Sequence, residues 1–238
     1  MINNELLIKD NWNKLDYSHF IDNLILLKDE KLIDFNSKLI YTKSKIIGIK
    51  TPVLREIAKN IAKGNIESFL LNCENNYFEV TLIEGFVIGY IKDKELFLKY
   101  FNKFIKKVDN WAVCDMCVSS FKIMKKYDFF DIAKELSLSC DEFLSRVGII
   151  IMLDHYLNEK YIDDIIETII SIKSDYYYVN MAIAWLISVM YIKFKDKTLP
   201  LLEKRILPSF VQNKSIQKIR DSYRVNSLDK RMLIKYKI

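Results

Sequence analysis

Glycine and proline are scarce in this chain, which has five Gly and three Pro among 238 residues. These residues interrupt helices and form the turns between strands, so a chain that lacks them has few places to break a regular element. Leu, Ile, Lys, Glu and Phe recur at helical spacing, which favours helices throughout. The sequence therefore predicts an all-α protein, and its 50% hydrophobic content is enough for a sizeable core.

The predicted helices follow one another with connections of only a few residues. They span 16–35, 51–64, 66–73, 77–91, 94–108, 111–126, 129–138, 141–157, 161–172, 176–194, 198–207 and 215–223. Tightly joined pairs of this length repeat every roughly 35 to 45 residues, the period of HEAT or armadillo-like arrays. We predict one α-solenoid domain over residues 1–238, because the heptad regularity of a helical bundle is absent.

Several classes of protein are disfavoured. The longest nearly unbroken apolar run, from Met181 to Ile192, is shorter than the roughly 20 residues of a membrane-spanning helix. The N-terminus shows no secretory signal, so we predict a cytoplasmic protein. Cys114 and Cys117 form a C-x-x-C pair, but no matching histidine pair accompanies them. Reduced structural thiols are favoured over a metal or redox site, and no cofactor is predicted.

The positive charge is concentrated near the C-terminus. Residues 203–238 contain ten Lys or Arg and three acids, whereas residues 1–202 contain 27 bases and 28 acids. This concentration fits contact with a phosphate backbone, although a solvated basic tail gives the same count. The segment from Lys214 to Arg224 predicts an amphipathic basic helix, with Ile216, Ile219 and Tyr223 on its apolar face.

A second informative stretch runs from Asp109 to Lys122. Asn110 is a good N-cap residue, and Trp111 and Asp115 lie four residues apart, so they share one helix face. An aromatic ring beside a carboxylate suits a site where positive charge develops. An Asp in the second turn of a helix is, however, more often solvated or paired with the helix dipole.

One further segment carries a signal for the start of a helix, and two further residues each allow a structural and a functional interpretation. Thr51-Pro52 predicts an N-cap and first helical position, after an irregular lysine-rich connection over Asn36–Ile47 that closes at Gly48. Arg146 precedes a long apolar run, so it either pairs with a buried acid or reaches a phosphate. Trp185, beside small Ala182 and Ala184, is either a core residue or the wall of a slot.

Taken in order, these segments resemble the DNA alkylation repair family of HEAT-like repeat DNA glycosylases, the AlkD type. The resemblance covers nearly the whole chain and is closest to a branch with a reduced N-terminal recognition helix. The matching pieces are Gly48-Ile-Lys-Thr-Pro52 with Arg55, Asp109-Asn-Trp111 with Asp115, Ser145-Arg146-Val, Met181-Ala-Ile-Ala-Trp185 and the basic helix ending near Arg224.

The resemblance implies hydrolysis of the N-glycosidic bond of cationic N3- or N7-alkylated purines, without base flipping and without a metal. Asp115 would supply negative charge and hold the water, Trp111 and Trp185 would pack against the deoxyribose, and Arg146 would contact the adjacent phosphate. The expected partner is double-stranded DNA, alkylated or otherwise damaged, cradled by a monomer on a concave basic face. A nucleoid association would follow if the source is bacterial. The remaining DNA-binding candidates are Lys43, Lys45, Arg55, Lys214, Lys218, Arg220 and Arg224.

Two alternatives stay open from the sequence. A non-catalytic binder of damaged or branched DNA would show salt-sensitive affinity and no base release. A solenoid scaffold for a protein partner would lack salt-sensitive DNA affinity altogether.

Overall fold

The computed structural model describes residues 2–74 and 77–238. The all-α prediction is confirmed by fourteen α-helices in these described residues. The helices are α1 Lys14–Ile25, α2 Glu30–Leu39, α3 Thr51–Ile61, α4 Ile66–Asn72, α5 Phe78–Ile88, α6 Lys94–Phe104, α7 Trp111–Val118, α8 Phe130–Ser137, α9 Glu142–Ile151, α10 Ile162–Ser171, α11 Tyr177–Lys193, α12 Lys195–Glu203, α13 Ser209–Asp221 and α14 Ser227–Met232.

The helices group into two compact units, Met1–Tyr127 and Asp128–Ile238. In the first unit α3, α5 and α7 pack side by side in sequence order. In the second unit α9, α11 and α13 do the same, and α8 packs along α9. Each unit is therefore built as an α-solenoid is, from helices stacked on their neighbours along the chain. The single domain over 1–238 and the concave basic face stay predictions.

Asparagine or aspartate is the N-cap residue of half of the helices in the described residues. The side chains of Asn13, Asp29, Asn65, Asp93 and Asn110 each accept a hydrogen bond from a backbone N–H in the first turn that follows. Such caps satisfy amide groups that have no partner inside the helix. The Thr51 N-cap prediction is wrong, because Lys50 occupies that position and Thr51 is already helical. Its hydroxyl points instead to the Met116 sulfur, 3.7 Å away.

The predicted bounds differ from the structure at several helices. The helix predicted for 16–35 is two helices, because α1 ends at Ile25 and Asp29 caps a new helix, α2. Asn36–Ile47 is not wholly irregular, since α2 continues to Leu39. The helix predicted for 111–126 ends at Val118 and is followed by a 3-10 turn at Lys122–Lys125. Helices α12 and α13 begin before the predicted Thr198 and Ser215, and α14 was not predicted.

Gly148 allows α8 and α9 to approach closely. A Cβ atom at this position would lie 2.3 Å from the Ser137 backbone nitrogen and 2.5 Å from the Ala133 oxygen. The Ser145 hydroxyl donates to the Ser137 carbonyl over 2.7 Å, which fixes the register of the pair. The glycine inside the predicted helix is therefore a packing residue.

Candidate functional site

The first two turns of α7 carry the pair predicted from the sequence. The Asn110 side chain accepts from the Val113 N–H over 2.9 Å and is itself buried. Trp111 and Asp115 occupy the same face and are both partly buried. The Trp111 indole Nε1–H donates to the Leu39 carbonyl over 3.1 Å, which fixes the orientation of the ring.

Asp109 ties the chain after α2 to the start of α7. Its carboxylate accepts from the Lys43 backbone N–H over 2.8 Å and lies within 3.1 Å of the Thr42 hydroxyl. Together with the bond from Trp111 to Leu39, these contacts fasten residues 39–43 beside the indole ring. The side chains of Lys43 and Lys45 are exposed.

The turn at Gly48 is held by a buried carboxylate, that of Glu79, for which the sequence carries no local signal. Gly48 has φ +84°, and a Cβ atom there would lie 2.4 Å from the Asp29 oxygen. The Glu79 carboxylate is fully buried and accepts from the backbone N–H groups of Ile47 at 2.9 Å, Gly48 at 2.8 Å and Ile49 at 3.4 Å. Glu79 thus positions the Gly48–Pro52 segment that leads into α3.

Glu79→Gln should lower the free energy of unfolding by about 1–3 kcal/mol. The amide keeps one acceptor oxygen but places an NH₂ group against a buried backbone N–H, which then lacks a partner. Urea unfolding of wild type and variant measures the loss, with Glu95→Gln on an exposed part of α6 as the matched control. Equal losses in the two variants would show that the three hydrogen bonds do not hold this turn.

Arg55 on α3 lies against the last turn of α7. One guanidinium nitrogen, Nη2, donates to the Met116 carbonyl over 3.2 Å, and the guanidinium carbon lies 4.2 Å from the centre of the Phe86 ring. A planar cation stacked on an aromatic ring is held in a defined orientation. Arg55 therefore links α3, α5 and α7 within the first unit.

Arg146 on α9 is buried, with 5% of its surface exposed. Its Nη1 donates to the Tyr178 carbonyl over 2.6 Å, and the Glu142 carboxylate accepts from the Tyr178 backbone N–H over 3.0 Å. Arg146 and Glu142 are four residues apart, so one face of α9 binds both the backbone N–H and the backbone carbonyl of Tyr178. This contact positions the first turn of α11, the helix that carries Trp185.

Trp185 is partly buried and lines an open groove of about 380 Å³ in the second unit. The other lining residues are Ser188, Val189 and Ile192 of α11 with Lys218, Asp221, Ser222 and Arg224. The structure thus brings three predicted site residues, Trp185, Lys218 and Arg224, to one surface. An indole beside two cations suits a sugar-phosphate chain, because the ring packs on the sugar and the cations meet phosphates.

The other basic residues of this region differ in their surroundings. The Arg220 Nε–H donates to the Lys230 carbonyl over 3.1 Å, so Arg220 supports the segment after α13. The Lys214 ammonium donates to the Gln217 side chain over 3.2 Å. Tyr223, which we expected on the apolar face, is fully exposed because α13 ends at Asp221, whereas Ile216 and Ile219 are buried as predicted.

Both cysteines of the C-x-x-C pair lie on α7 and are buried in the core of the first unit. Cys114 and Cys117 are buried and form no disulfide, and the Cys117 thiol donates to the Leu82 carbonyl over 3.8 Å. Burial raises the pKa of the Cys117 thiol, so it is protonated at neutral pH. Residues 2–74 and 77–238 contain no group of three or more His, Cys, Asp or Glu side chains arranged to hold a metal ion.

Comparison with known proteins assigns the chain to a family. A family model described as DNA alkylation repair enzyme matches residues 20–219. The chain belongs to the DNA alkylation repair enzyme family. The resemblance drawn from the sequence is thereby confirmed, and DNA repair, with DNA as a partner, is the role that membership in this family indicates.

The matched region includes Gly48–Pro52, the start of α7, Arg146 and Trp185, whereas Arg220 and Arg224 follow its last residue. The comparisons found no matching curated protein and no matching solved structure. No helix in the described part of this family member combines the length and apolar character needed to cross a membrane. The catalytic and DNA-binding roles of individual residues stay predictions.

Proposed function

We propose that this member of the DNA alkylation repair family is a DNA glycosylase that releases N3- and N7-alkylated purines from duplex DNA without base flipping. The observation that carries the proposal is the shared α7 face of Trp111 and Asp115, where a carboxylate lies one turn beyond an indole fixed by Leu39. Family membership supports DNA as the partner. A monomer acting in the cytoplasm or at the nucleoid is part of the same proposal.

The chemistry required is modest, because an alkylated purine is already cationic and its N-glycosidic bond is weakened. As that bond breaks, positive charge develops on the deoxyribose, which takes on oxocarbenium character. The Asp115 carboxylate would stabilise this charge and hold the water that attacks C1′, and the proton that this water loses would pass to solvent. The electrons of the broken bond leave with the purine, which becomes neutral. The proposal needs no metal ion and no covalent intermediate.

The other assigned residues would hold the DNA in place. The indoles of Trp111 and Trp185 would pack on the deoxyribose and keep water other than the nucleophile away. Arg146 would contact the adjacent phosphate, and its bond to the Tyr178 carbonyl would help to orient the guanidinium. Lys43 and Lys45, exposed next to the fastened segment 39–43, would contact the phosphate backbone.

A direct test is base release from a duplex oligonucleotide that contains a single 7-methylguanine. The protein should convert this site to an abasic site and liberate 7-methylguanine, detected by alkaline cleavage of the strand and by chromatography. The same duplex without protein corrects for spontaneous depurination, and an unmethylated duplex tests selectivity. Release no faster than in the protein-free sample would refute the glycosylase proposal.

A second candidate, a non-catalytic binder of damaged or branched DNA, is favoured by the groove of Trp185, Lys218 and Arg224. This groove combines stacking and phosphate contacts but contains one carboxylate, Asp221, that is exposed and lies among cations. Such a surface recognises the sugar-phosphate chain and does not require bond cleavage. DNA affinity without base release would support this candidate.

Both candidates predict that Lys218→Ala combined with Arg224→Ala weakens duplex binding. We expect about a tenfold loss of affinity and a fall of about 1–2 in the slope of log K against log salt, because up to two phosphate contacts are removed. Fluorescence anisotropy across a salt series measures both quantities. Lys173→Ala, an exposed lysine of the same unit outside the groove, is the control. An unchanged salt slope in the double variant would exclude this groove from the DNA interface.

A further inference from the structure

A second cavity lies in the first unit, where α5 and α7 end. It has a volume of about 460 Å³, within the range of small-molecule sites. Its lining residues are Arg55, Phe86, Gly89, Tyr90, Ile91, Lys92, Ser119, Ser120, Lys122, Ile123 and Lys126. Trp111 begins α7 and Ser119 follows its last residue, so the length of the helix, about 12 Å, separates this recess from the Trp111 end.

The charges around this recess all have the same sign. Four of the lining residues are cations, Arg55, Lys92, Lys122 and Lys126, and none is an acid. Among residues 2–74 and 77–238, no carboxylate lies within ion-pair distance of Lys92, Lys122 or Lys126. Cations gathered without acids in a concave site attract an anion.

The floor of the recess is lined by buried apolar side chains. Phe86 is buried, the Arg55 guanidinium carbon lies 4.2 Å from the centre of its ring, and the guanidinium donates to the Met116 carbonyl. Ile91 and Ile123 are also buried there, while the Tyr90 ring is 44% exposed at the edge. A fixed guanidinium plane and an exposed phenol ring are surfaces on which an aromatic ring stacks.

We propose that this recess binds a nucleoside monophosphate, with the base against Arg55 and Tyr90 and the phosphate among Lys92, Lys122 and Lys126. A nucleoside monophosphate has an aromatic base that can stack on Arg55 and Tyr90 and a dianionic phosphate that the three lysines can bind. An aliphatic acid would satisfy the cations but would leave the planar surfaces unused. This site goes beyond the proposed glycosylase function and does not depend on it.

The test is calorimetric titration of the full chain with adenosine 5′-monophosphate. We expect saturable binding, and adenosine or inorganic phosphate alone should bind at least about tenfold more weakly because each supplies half of the contacts. Lys122→Ala combined with Lys126→Ala should weaken binding by at least about tenfold. Lys125→Ala is the matched control, since Lys125 is exposed between the two but does not line the recess.

Ser119→Phe provides an independent variant, because its ring would fill the recess from an exposed position. It should abolish nucleotide binding while urea unfolding shows a folded protein. The proposal is overturned if adenosine 5′-monophosphate does not bind, or if Lys125→Ala weakens its binding as much as the double variant does. It is also overturned if laurate, an aliphatic acid without an aromatic ring, binds as tightly as the monophosphate. If the wild-type protein does not bind the nucleotide and the double variant loses affinity for duplex DNA, these lysines belong to the DNA interface instead. Base release from methylated duplex is measured separately, so each proposal can fail alone.

Discussion

Asp115→Asn should lower the rate of 7-methylguanine release from duplex DNA by about 100- to 1,000-fold. Asparagine has nearly the same size as aspartate and can still hydrogen-bond a water molecule, but it carries no negative charge. The lost rate therefore measures the electrostatic stabilisation of the oxocarbenium-like sugar. DNA affinity should change by less than about threefold, because a carboxylate does not attract the phosphate backbone.

Single-turnover kinetics with protein in excess isolates the chemical step from product release. Glu56→Gln, an exposed carboxylate on α3, removes one negative charge elsewhere in the first unit and should retain the wild-type rate. Thermal unfolding of both variants establishes that they are folded. An Asp115→Asn protein as fast as wild type would remove Asp115 from the mechanism, even if the chain proves to be a glycosylase.

The helices themselves could be predicted because their apolar residues repeat with the helical period. The break between α1 and α2 could not, since Phe20, Leu24, Leu27 and Ile33 continue that period across it. The N-cap Asp29 lies inside this run, and α2 has no buried residue, so no core contact reveals where it begins. In α13 the same periodicity placed Tyr223 on the apolar face, although the helix ends two residues earlier.

The candidate site was predictable to the extent that it is local. The Asn110 cap and the i, i+4 pair of Trp111 and Asp115 are encoded within six residues, and both are present in α7. The contacts that hold this turn in place are not local: Asp109 meets Thr42 across 67 positions, and Glu79 reaches Gly48 across 31. Spacing along the chain carries no signal for such contacts, so Glu79 resembled any acid at the start of a helix.

Lys107→Met should lower the free energy of unfolding by about 3 kcal/mol at pH 7.5. The Lys107 ammonium lies 2.7 Å from Oε1 of Glu84, whose side chain is only 3% exposed. The other carboxylate oxygen, Oε2, is buried without a hydrogen-bond partner among the described residues. Methionine keeps the apolar stem of lysine but leaves a buried carboxylate with no counter-ion, which is the costly arrangement.

Adding Glu84→Gln to this variant should restore most of the loss, to within about 1 kcal/mol of wild type. Burial already raises the pKa of Glu84, and Lys107 opposes this only in part, so desolvation outweighs the ion pair in the folded protein. The single variant Glu84→Gln should therefore be neutral or slightly stabilising at pH 7.5. The interaction free energy from this double-mutant cycle separates the ion pair from the packing of either side chain.

The pH dependence of the stability of the Lys107→Met variant tests independently whether the unpaired Glu84 carboxylate destabilises the folded protein. Without its counter-ion, Glu84 should have a still higher pKa in the folded state than in the unfolded state. The folded state then binds more protons between the two pKa values, so stability decreases as pH rises through that window. Urea unfolding at pH 5 and pH 7.5 should show a smaller deficit at pH 5. Tyr17 and Cys73, whose pKa values are raised by their own burial and further by the Glu84 charge, stay neutral at both pH values. A deficit independent of pH would mean that the lost packing of Lys107, and not the bare carboxylate, destabilises the variant.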